Sequence, residues 1–290
     1  MLRYLYFSKF SKNILIFIPL ILNSDFFFTE NFLKVLFSFL FFCILTNIIY
    51  LTNDYSDRDT DKENKLKINK NIISSKFIII LNLLIFISVI LFNDFFFVNF
   101  WLIFYLVAFY AYNFFLKKIF FIDLIVLKFF FILRILYGAE IINLELSFIF
   151  IVFFFFIFGI MAAMKRFVQI NVNKLETKNK IIAYDYSKLN FLKFIIYIYF
   201  LFSTSILFVF CNNGIFFNYE IIDNLFYLDL KNHILISNLI FIIYLIIFFR
   251  LFYFVNTNKI KIDILDHVLK DYILVLLLIL NLILIFFSLR

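Results

Sequence analysis

Residues 32–61 read FLKVLFSFLFFCILTNIIYLTNDYSDRDTD, and this stretch decides the predicted fold. Its first part, Phe32 to Leu51, is a mostly apolar run of about 20 residues, the length that an α-helix needs to cross a bilayer core. Its second part, Asn53 to Asp61, places four aspartates and an asparagine within nine residues, and a basic segment follows from Lys62 to Lys76. The pattern indicates a membrane helix that ends at a highly charged membrane–water boundary.

Three of these carboxylates are spaced for one face of a helix. If the helix continues past Leu51, Asp54, Asp57 and Asp61 fall at positions i, i+3 and i+7, which project from the same side. Like charges this close repel one another unless a cation lies between them, and Mg²⁺ binds one or two carboxylates together with phosphate oxygens. The amide of Asn53 could bind metal-bound water or a phosphate oxygen. The simpler alternative is that acidic residues at a membrane helix end only mark the water boundary.

The composition places the chain among polytopic membrane proteins. Of its 290 residues, 66% are hydrophobic, whereas soluble domains contain about 45–50% apolar residues. The net charge of +8 is explained by basic cytoplasmic loops, so we expect no nucleic-acid partner. The N-terminal residues lack the cleavage site of a secretory signal peptide. Cys43 and Cys211 have no metal-ligand spacing and are predicted to be packing residues.

Nine apolar runs predict an all-α, UbiA-like bundle of about nine transmembrane helices, which we expect to form one membrane domain over residues 1–290. Inside a bilayer every backbone N–H and C=O must be paired within the protein, and helices achieve this. The first run is short and contains the single proline, Pro19, so a kinked or tilted helix is expected there. The predicted spans are Asn13–Phe28, Phe32–Leu51, Ile72–Phe92, Phe95–Ala111, Ile119–Tyr137, Leu146–Met164, Phe191–Phe210, Ile234–Phe254 and Tyr272–Leu289.

The loops between these runs alternate in charge. One set, which includes the N-terminus and residues 52–71, 165–190 and 255–271, is rich in lysine and arginine, and the other set is nearly free of them. Because basic loops are retained in the cytoplasm, we predict that the N-terminus and the aspartate cluster face the cytoplasm and that the C-terminus lies outside. Carboxylates and cations would then share one side of the membrane, as a Mg²⁺-bound polyphosphate requires.

The fourth and fifth predicted helices carry polar residues whose placement in apolar surroundings costs free energy. Lys117 follows Tyr112 at the cytoplasmic end of the fourth helix and is a candidate phosphate ligand, although a lysine pair there could equally anchor the helix end. In the fifth helix, Asp123 and Arg134 are eleven residues apart, which is three turns on one face, and we expect both to point into the bundle. For Lys128, on the same helix, snorkelling to water is the alternative.

Two adjacent cations, Lys165 and Arg166, are predicted at the cytoplasmic end of the sixth helix, where they could bind a phosphate. Lys12 precedes the first helix, and Arg58 lies off the face formed by the aspartates, toward solvent or substrate. Each of these residues has an ordinary alternative, because basic residues near helix ends commonly serve only as positive-inside anchors.

The acidic motif resembles that of a known family. Asn53-Asp54-x-x-Asp57-x-x-x-Asp61 is similar to the N-D-x-x-D-x-x-x-D signature of the UbiA-type intramembrane prenyltransferases, which are nine-helix bundles with a cytoplasm-facing, Mg²⁺-dependent active site. Further segments resemble the decaprenyl-phosphate phosphoribosyltransferase branch of that superfamily. These are Ser11–Leu20, Tyr112-x-x-x-Leu116-Lys117 with Asp123, Leu133-Arg134 with Gly138-Ala139, Lys165-Arg166 with Tyr186 and Leu189, and Arg250-x-x-Tyr253 with Asp271.

The sequence departs from the branch at two positions and lacks one motif of the superfamily. Gln169 stands where the branch usually has glutamate, and Asn113 replaces its usual serine. The second Asp-rich motif, which aromatic-prenylating members carry after the sixth helix, is absent from the sequence. This absence favours the phosphoribosyl branch.

The resemblance implies a Mg²⁺-dependent enzyme of the bacterial inner membrane that transfers 5-phosphoribose from phosphoribosyl pyrophosphate to a polyprenyl phosphate, for cell-envelope glycan synthesis. Asp54, Asp57 and Asp61 would bind the metal and the leaving pyrophosphate, and a homo-oligomer is compatible with this assignment. The residues expected to contact substrate are Lys12, Asn53, Arg58, Tyr112, Lys117, Asp123, Arg134, Lys165 and Arg166.

Two other functions are open at this point. An aromatic or tetrapyrrole prenyltransferase would use the same aspartates to bind a prenyl pyrophosphate. A non-enzymatic transporter or lipid-binding protein would use them as an ion site, although the sequence shows neither broken helices nor a repeated half.

Overall fold

The computed structural model describes residues 10–22, 29–56, 74–91, 100–175, 186–213, 230–257, 259–260 and 264–288. Throughout these residues the chain forms helices joined by turns, and they include no strand, so the predicted all-α class is confirmed. Short 3-10 helices cover Ser11–Phe17, Leu116–Lys118 and Tyr186–Lys188. The α-helices are α1 Ile18–Leu22, α2 Thr29–Ser56, α3 Ser75–Leu91, α4 Phe100–Phe114, α5 Phe120–Ile141, α6 Phe148–Leu175, α7 Leu189–Asn213, α8 Leu230–Asn256, α9 Ile264–Lys270 and α10 Tyr272–Ser288.

Every apolar run that was predicted to cross the membrane is helical over most of its described residues. Within the described ranges, α2, α6, α7 and α8 are long and apolar enough to span a bilayer, and shorter apolar helices accompany them. Helix α5 has sufficient length but carries Asp123, Lys128 and Arg134. These are the helices of a membrane protein, while the count of nine crossings stays a prediction.

Two helices extend beyond the apolar runs that predicted them. Helix α2 continues past Leu51 to Ser56, which meets part of the condition set for the predicted aspartate face. Helix α6 continues past Met164 to Leu175, although a loop was predicted from residue 165. Hydrophobicity marks only the part of a helix that lies in apolar surroundings, whereas lysine, arginine and glutamine are good helix formers in polar surroundings.

The first predicted span changes its helix type near its proline. Residues Ser11–Phe17 form a 3-10 helix, and α1 begins at Ile18, immediately before Pro19. Proline lacks a backbone N–H and is tolerated in the first turn of an α-helix, where that group has no intrahelical acceptor. The irregularity expected from Pro19 is therefore a change of helix type.

The chain divides into two compact units, of which the first contains residues 1–126, 133–144 and 176–183. In this unit α2 packs against the 3-10 segment Ser11–Phe17 and against α3 and α4. Its core is largely aromatic. The ring of Phe42, which is 1% exposed, lies 4.9 Å from the ring of Tyr105 and 5.5 Å from that of Tyr137.

The second unit contains residues 127–132, 145–175 and 184–290. In this unit α6 packs along α7, and α8 packs against both of them and against α10. One buried cluster joins α6, α7 and α8 and consists of Phe153, Leu207, Phe210 and Ile240. The expectation of a single domain over the whole chain stays a prediction.

Gly138 permits a close backbone approach in the first unit. A Cβ atom at this position of α5 would overlap the backbone carbonyl of Ile16. In the second unit, a Cβ atom at Gly159 would lie 2.6 Å from the ring of Tyr199. A side chain can rotate away more easily than a backbone carbonyl can move, so the two glycines are not equivalent.

We predict that Gly138→Ala lowers the free energy of unfolding by about 1–3 kcal/mol, the usual cost of overpacking. Gly159→Ala should cost less, because the ring of Tyr199 can shift. Thermal unfolding of both variants in detergent measures the difference. A Gly138→Ala protein that melts at the wild-type temperature would contradict the prediction.

The start of α10 is fixed by an ion pair in the second unit. Oδ1 of Asp271 accepts hydrogen bonds from the backbone N–H groups of Ile273 and Leu274, at 3.1 and 3.0 Å. Nη2 of Arg250 donates to both carboxylate oxygens of Asp271, at 3.1 and 2.9 Å. Burial acts to raise the pKa of Asp271, but the Arg250 guanidinium and the two backbone donors outweigh it and hold that pKa below its ordinary value.

We predict that this ion pair stabilises the fold at neutral pH and that the stabilisation is lost as the pH falls through the lowered pKa of Asp271. A carboxylate whose pKa is lowered by folding stabilises the folded protein at pH values above its unfolded-state pKa, about 3.9. This stabilisation is lost once the carboxylate of the folded protein is protonated. Asp271→Asn should therefore be less stable than wild type at pH 7, and the difference should shrink toward pH 3.

Thermal unfolding in detergent between pH 3 and pH 7 measures that difference. Asp271→Ala serves as the comparison, since it also removes the helix cap at a cost of about 0.5–2 kcal/mol. A gap between wild type and Asp271→Asn that stays constant over this pH range would show that the charge contributes nothing.

Candidate functional site

The predicted acidic site begins at the end of α2. Asn53 and Asp54 lie half-buried in its last turns. Asp57, Arg58 and Asp61 lie outside the described residues, so the face of three carboxylates stays a prediction. In the part of the chain that the structure describes, no group of three His, Cys, Asp or Glu side chains could hold a metal ion.

A lysine reaches the same end of α2 through two polar side chains. Nζ of Lys117 donates to Oδ1 of Asn113 at 2.9 Å and lies 3.5 Å from Oγ of Ser56. Oγ of Ser56 lies 2.8 Å from Oδ1 of Asn113 and 2.9 Å from the carbonyl oxygen of Asn53. We refer to Ser56, Asn113 and Lys117 as the Asn113 cluster. Since Ser56 is two residues beyond Asp54 on α2, the cluster brings a cation to the carboxylate-bearing helix end.

Asp123 is completely buried in the first turn of α5, as predicted from its apolar context. Its Oδ1 accepts a hydrogen bond from the hydroxyl of Tyr112 at 2.8 Å. Tyr112 lies in the last turn of α4 and is itself buried. Two of the predicted substrate residues therefore contact each other, and Tyr112 orients the carboxylate of Asp123.

Arg134 also points into the protein, as predicted, with 2% of its surface exposed. Its Nε donates to Oδ1 of Asn13 at 3.0 Å, and its Nη2 donates to the hydroxyl of Tyr105 at 2.9 Å. The guanidinium carbon lies 5.1 Å from the ring centre of Tyr105 and 5.7 Å from that of Phe42. This arginine is held by groups of the protein, which indicates a positioning role within the first unit.

Asn13 connects Arg134 to α2, a role that the sequence reasoning missed. The side chain of Asn13 is fully buried, and its Nδ2 donates to Oγ1 of Thr46 at 2.9 Å and to Sγ of Cys43 at 3.3 Å. The available signal was an asparagine at the edge of an apolar run, where an amide needs partners. Its neighbour Lys12 is 8% exposed, and its role as an anchor or as a substrate contact stays a prediction.

Lys165 and Arg166 are not at the end of α6, which corrects the prediction. The helix continues to Leu175, so both half-buried residues lie within it, in the second unit. Nη1 of Arg166 donates to Oε1 of Gln169 at 2.6 Å. Gln169, which stands where the related branch usually has glutamate, therefore orients Arg166 as a neutral acceptor.

Lys128 is buried and does not snorkel, so that alternative is wrong. It is 2% exposed, and its Nζ donates to the hydroxyl of Tyr199 at 3.1 Å. The same Nζ lies 3.4 Å from the ring centre of Phe155. An aromatic face attracts a cation, and Gly159 leaves room for the ring of Tyr199. The sequence did not reveal these partners, because they lie on α6 and α7.

We predict that Tyr105→Phe destabilises the protein by about 1–3 kcal/mol, because it removes the hydroxyl that accepts from the buried Arg134 guanidinium. Tyr110→Phe is the matched control on the same helix. Its hydroxyl donates to the neutral Oδ1 of Asn82 at 2.6 Å, so its loss should cost less. Thermal unfolding in detergent compares the two, and a larger loss for Tyr110→Phe would contradict the prediction.

Comparison of the sequence with protein-family models gives no match, and comparison with curated proteins gives no significant match. Membership of the UbiA superfamily therefore stays a prediction that rests on the motif Asn53–Asp61 and the other similar segments. The function is proposed below from the chemistry of the side chains that the structure brings together.

Proposed function

We propose that the protein is a UbiA-type intramembrane transferase that moves 5-phosphoribose from phosphoribosyl pyrophosphate to a polyprenyl phosphate. The observation that carries the proposal is the Asn113 cluster, which fixes the ammonium of Lys117 at the end of α2 that bears Asp54. A carboxylate suited to a metal and a cation suited to a phosphate then lie at one helix end. The proposal includes nine membrane crossings in the bacterial inner membrane and a cytoplasm-facing site.

The donor set at this helix end fits Mg²⁺. Asp54 and Asn53 offer carboxylate and amide oxygens, the hard ligands that Mg²⁺ takes in proteins, and Asp57 and Asp61 are the predicted further ligands. Bound there, Mg²⁺ would supply charge neutralisation for the leaving diphosphate. Asp123, buried behind Tyr112, is held by a hydroxyl donor, which suits it to a positioning role.

Lys117 is suited to hold a phosphate close to the acidic helix end. An ammonium is a compact point charge with three donors, and Asn113 fixes its direction by accepting one of them. In the proposed reaction an oxygen of the lipid phosphate forms a bond to C1 of the ribose as the bond from C1 to the pyrophosphate oxygen breaks. The lipid phosphate monoester is already anionic, so the step needs no strong base.

The surface of the helices supports a lipid substrate. Large apolar side chains are exposed along α2, α3 and α10, among them Ile44, Leu83, Ile90 and Leu276. Exposing such apolar surfaces to water costs free energy, whereas contact with acyl chains does not. A polyprenyl chain could therefore reach the protein from the bilayer while its phosphate stays at the polar helix ends.

The test is transfer of labelled ribose phosphate into the lipid phase by purified protein with Mg²⁺ and polyprenyl phosphate. We predict that Asp54→Asn lowers the rate at least about 100-fold, the usual scale for losing a group that stabilises developing charge. Glu30→Gln is the matched control, since it makes the same chemical change near the other end of α2, roughly 36 Å away at 1.5 Å per residue.

Full activity in Asp54→Asn would overturn the proposal. Transfer of a prenyl group to 4-hydroxybenzoate, without ribose phosphate transfer, would replace it with an aromatic prenyltransferase.

A further inference from the structure

Asn113 carries a donor for which the described part of the chain provides no acceptor. Its side chain is 2% exposed, and its Nδ2 is buried without a hydrogen-bond partner among the residues that the structure describes. Buried donors in folded proteins are nearly always paired, because an unpaired one gives up its hydration without compensation. An unpaired donor beside a candidate site calls for a ligand acceptor.

A flip of the Asn113 side-chain amide cannot give the unpaired donor a partner. Oδ1 of Asn113 accepts from the Lys117 ammonium at 2.9 Å and lies 2.8 Å from the Ser56 hydroxyl. A flipped amide would place its NH₂ group against the ammonium, donor against donor. Lysine has no acceptor, so Lys117 fixes which end of the amide faces it and leaves Nδ2 on the other side.

We infer that Asn113 Nδ2 and Lys117 Nζ bind oxygens of one phosphate group, with Asn113 as a specificity-determining residue. The inference rests on the proposed function and adds to it the residue that recognises the phosphate. Two neighbouring donors, one of them cationic, select an anionic acceptor and disfavour a metal ion. Ser56 is exposed and Lys117 is half-buried, so a phosphate arriving from water meets the cluster on the side of these two residues.

The phosphate oxygen could belong to the soluble donor or to the lipid acceptor, and separate binding measurements distinguish them. One arm measures binding of inorganic pyrophosphate to the full-length protein in detergent. The other measures binding of polyprenyl phosphate, added in the same detergent. The probe whose affinity depends on Asn113 identifies the substrate that supplies the phosphate oxygen.

The sharpest variant is Asn113→Asp. Its carboxylate keeps the shape of the amide and still accepts from Lys117 and Ser56, while it replaces the unpaired donor with a negative oxygen. We expect at least about tenfold weaker binding of one probe, the effect of losing a hydrogen bond to a charged group. The melting temperature should stay at or above the wild-type value, because the new carboxylate pairs with Lys117.

Asn190→Asp is the matched control, because it makes the same change of charge at an exposed position in the first turn of α7, and it should leave both affinities unchanged. Asn113→Ser, which also removes the unpaired donor, is the second variant if the aspartate protein does not fold. It should weaken the same probe.

Unchanged affinity for both probes in the Asn113 variants would overturn the inference. So would tighter Mg²⁺ binding by Asn113→Asp with unchanged phosphate binding, since that result assigns the cluster to a cation. The proposed reaction is tested independently. If binding depends on Asn113 but no ribose phosphate is transferred, only the proposed reaction is contradicted. If ribose phosphate is transferred but binding does not depend on Asn113, only this inference is contradicted.

Discussion

A guanidinium buried in apolar surroundings must find its hydrogen-bond partners within the protein, and the first unit depends on how it meets this requirement. Arg134 of α5 donates to Asn13 of the 3-10 segment and to Tyr105 of α4, and Asn13 donates onward to Thr46 of α2. Apolar packing alone tolerates sliding and rotation of neighbouring helices. Directional hydrogen bonds to one planar cation fix their register.

That register brings the polar helix ends together. At 1.5 Å per residue, about 12 Å of α2 separate Thr46 from Asp54, and about 16 Å of α5 separate Arg134 from Asp123. Helix α4 runs from Tyr105 to its end near Lys117 over a similar length. The hydrogen bonds between Tyr112 and Asp123 and within the Asn113 cluster show that these ends do meet. A buried cation in the interior therefore links the helices whose polar ends form the candidate site.

Much of the fold could be predicted because a membrane restricts what a chain can form. Apolar runs became helices, and the burial of Asp123 and Arg134 followed from the cost of a charge in an apolar environment. The continuation of α2 to Ser56 was a condition of the predicted aspartate face, and the structure describes it as far as Ser56. The extension of α6 was not, since hydrophobicity does not detect a helix that leaves apolar surroundings.

The contacts that buried polar side chains make with other helices could not be predicted from the sequence. For Lys128 the sequence leaves snorkelling open, because the aromatic rings that hold its ammonium lie on helices more than twenty residues away. For Asn113 the sequence shows only a departure from serine, since the unpaired state of its side-chain nitrogen depends on the direction that Lys117 imposes. Spacing along one helix predicts which side chains share a face, whereas contacts between helices require the structure.

The most direct test of the central claim, that a divalent cation at the acidic end of α2 holds a diphosphate, is equilibrium binding of labelled phosphoribosyl pyrophosphate to the purified protein. The account predicts saturable binding in Mg²⁺ that is lost when EDTA removes the metal. Equal binding with and without the metal, or no binding in Mg²⁺, would contradict it.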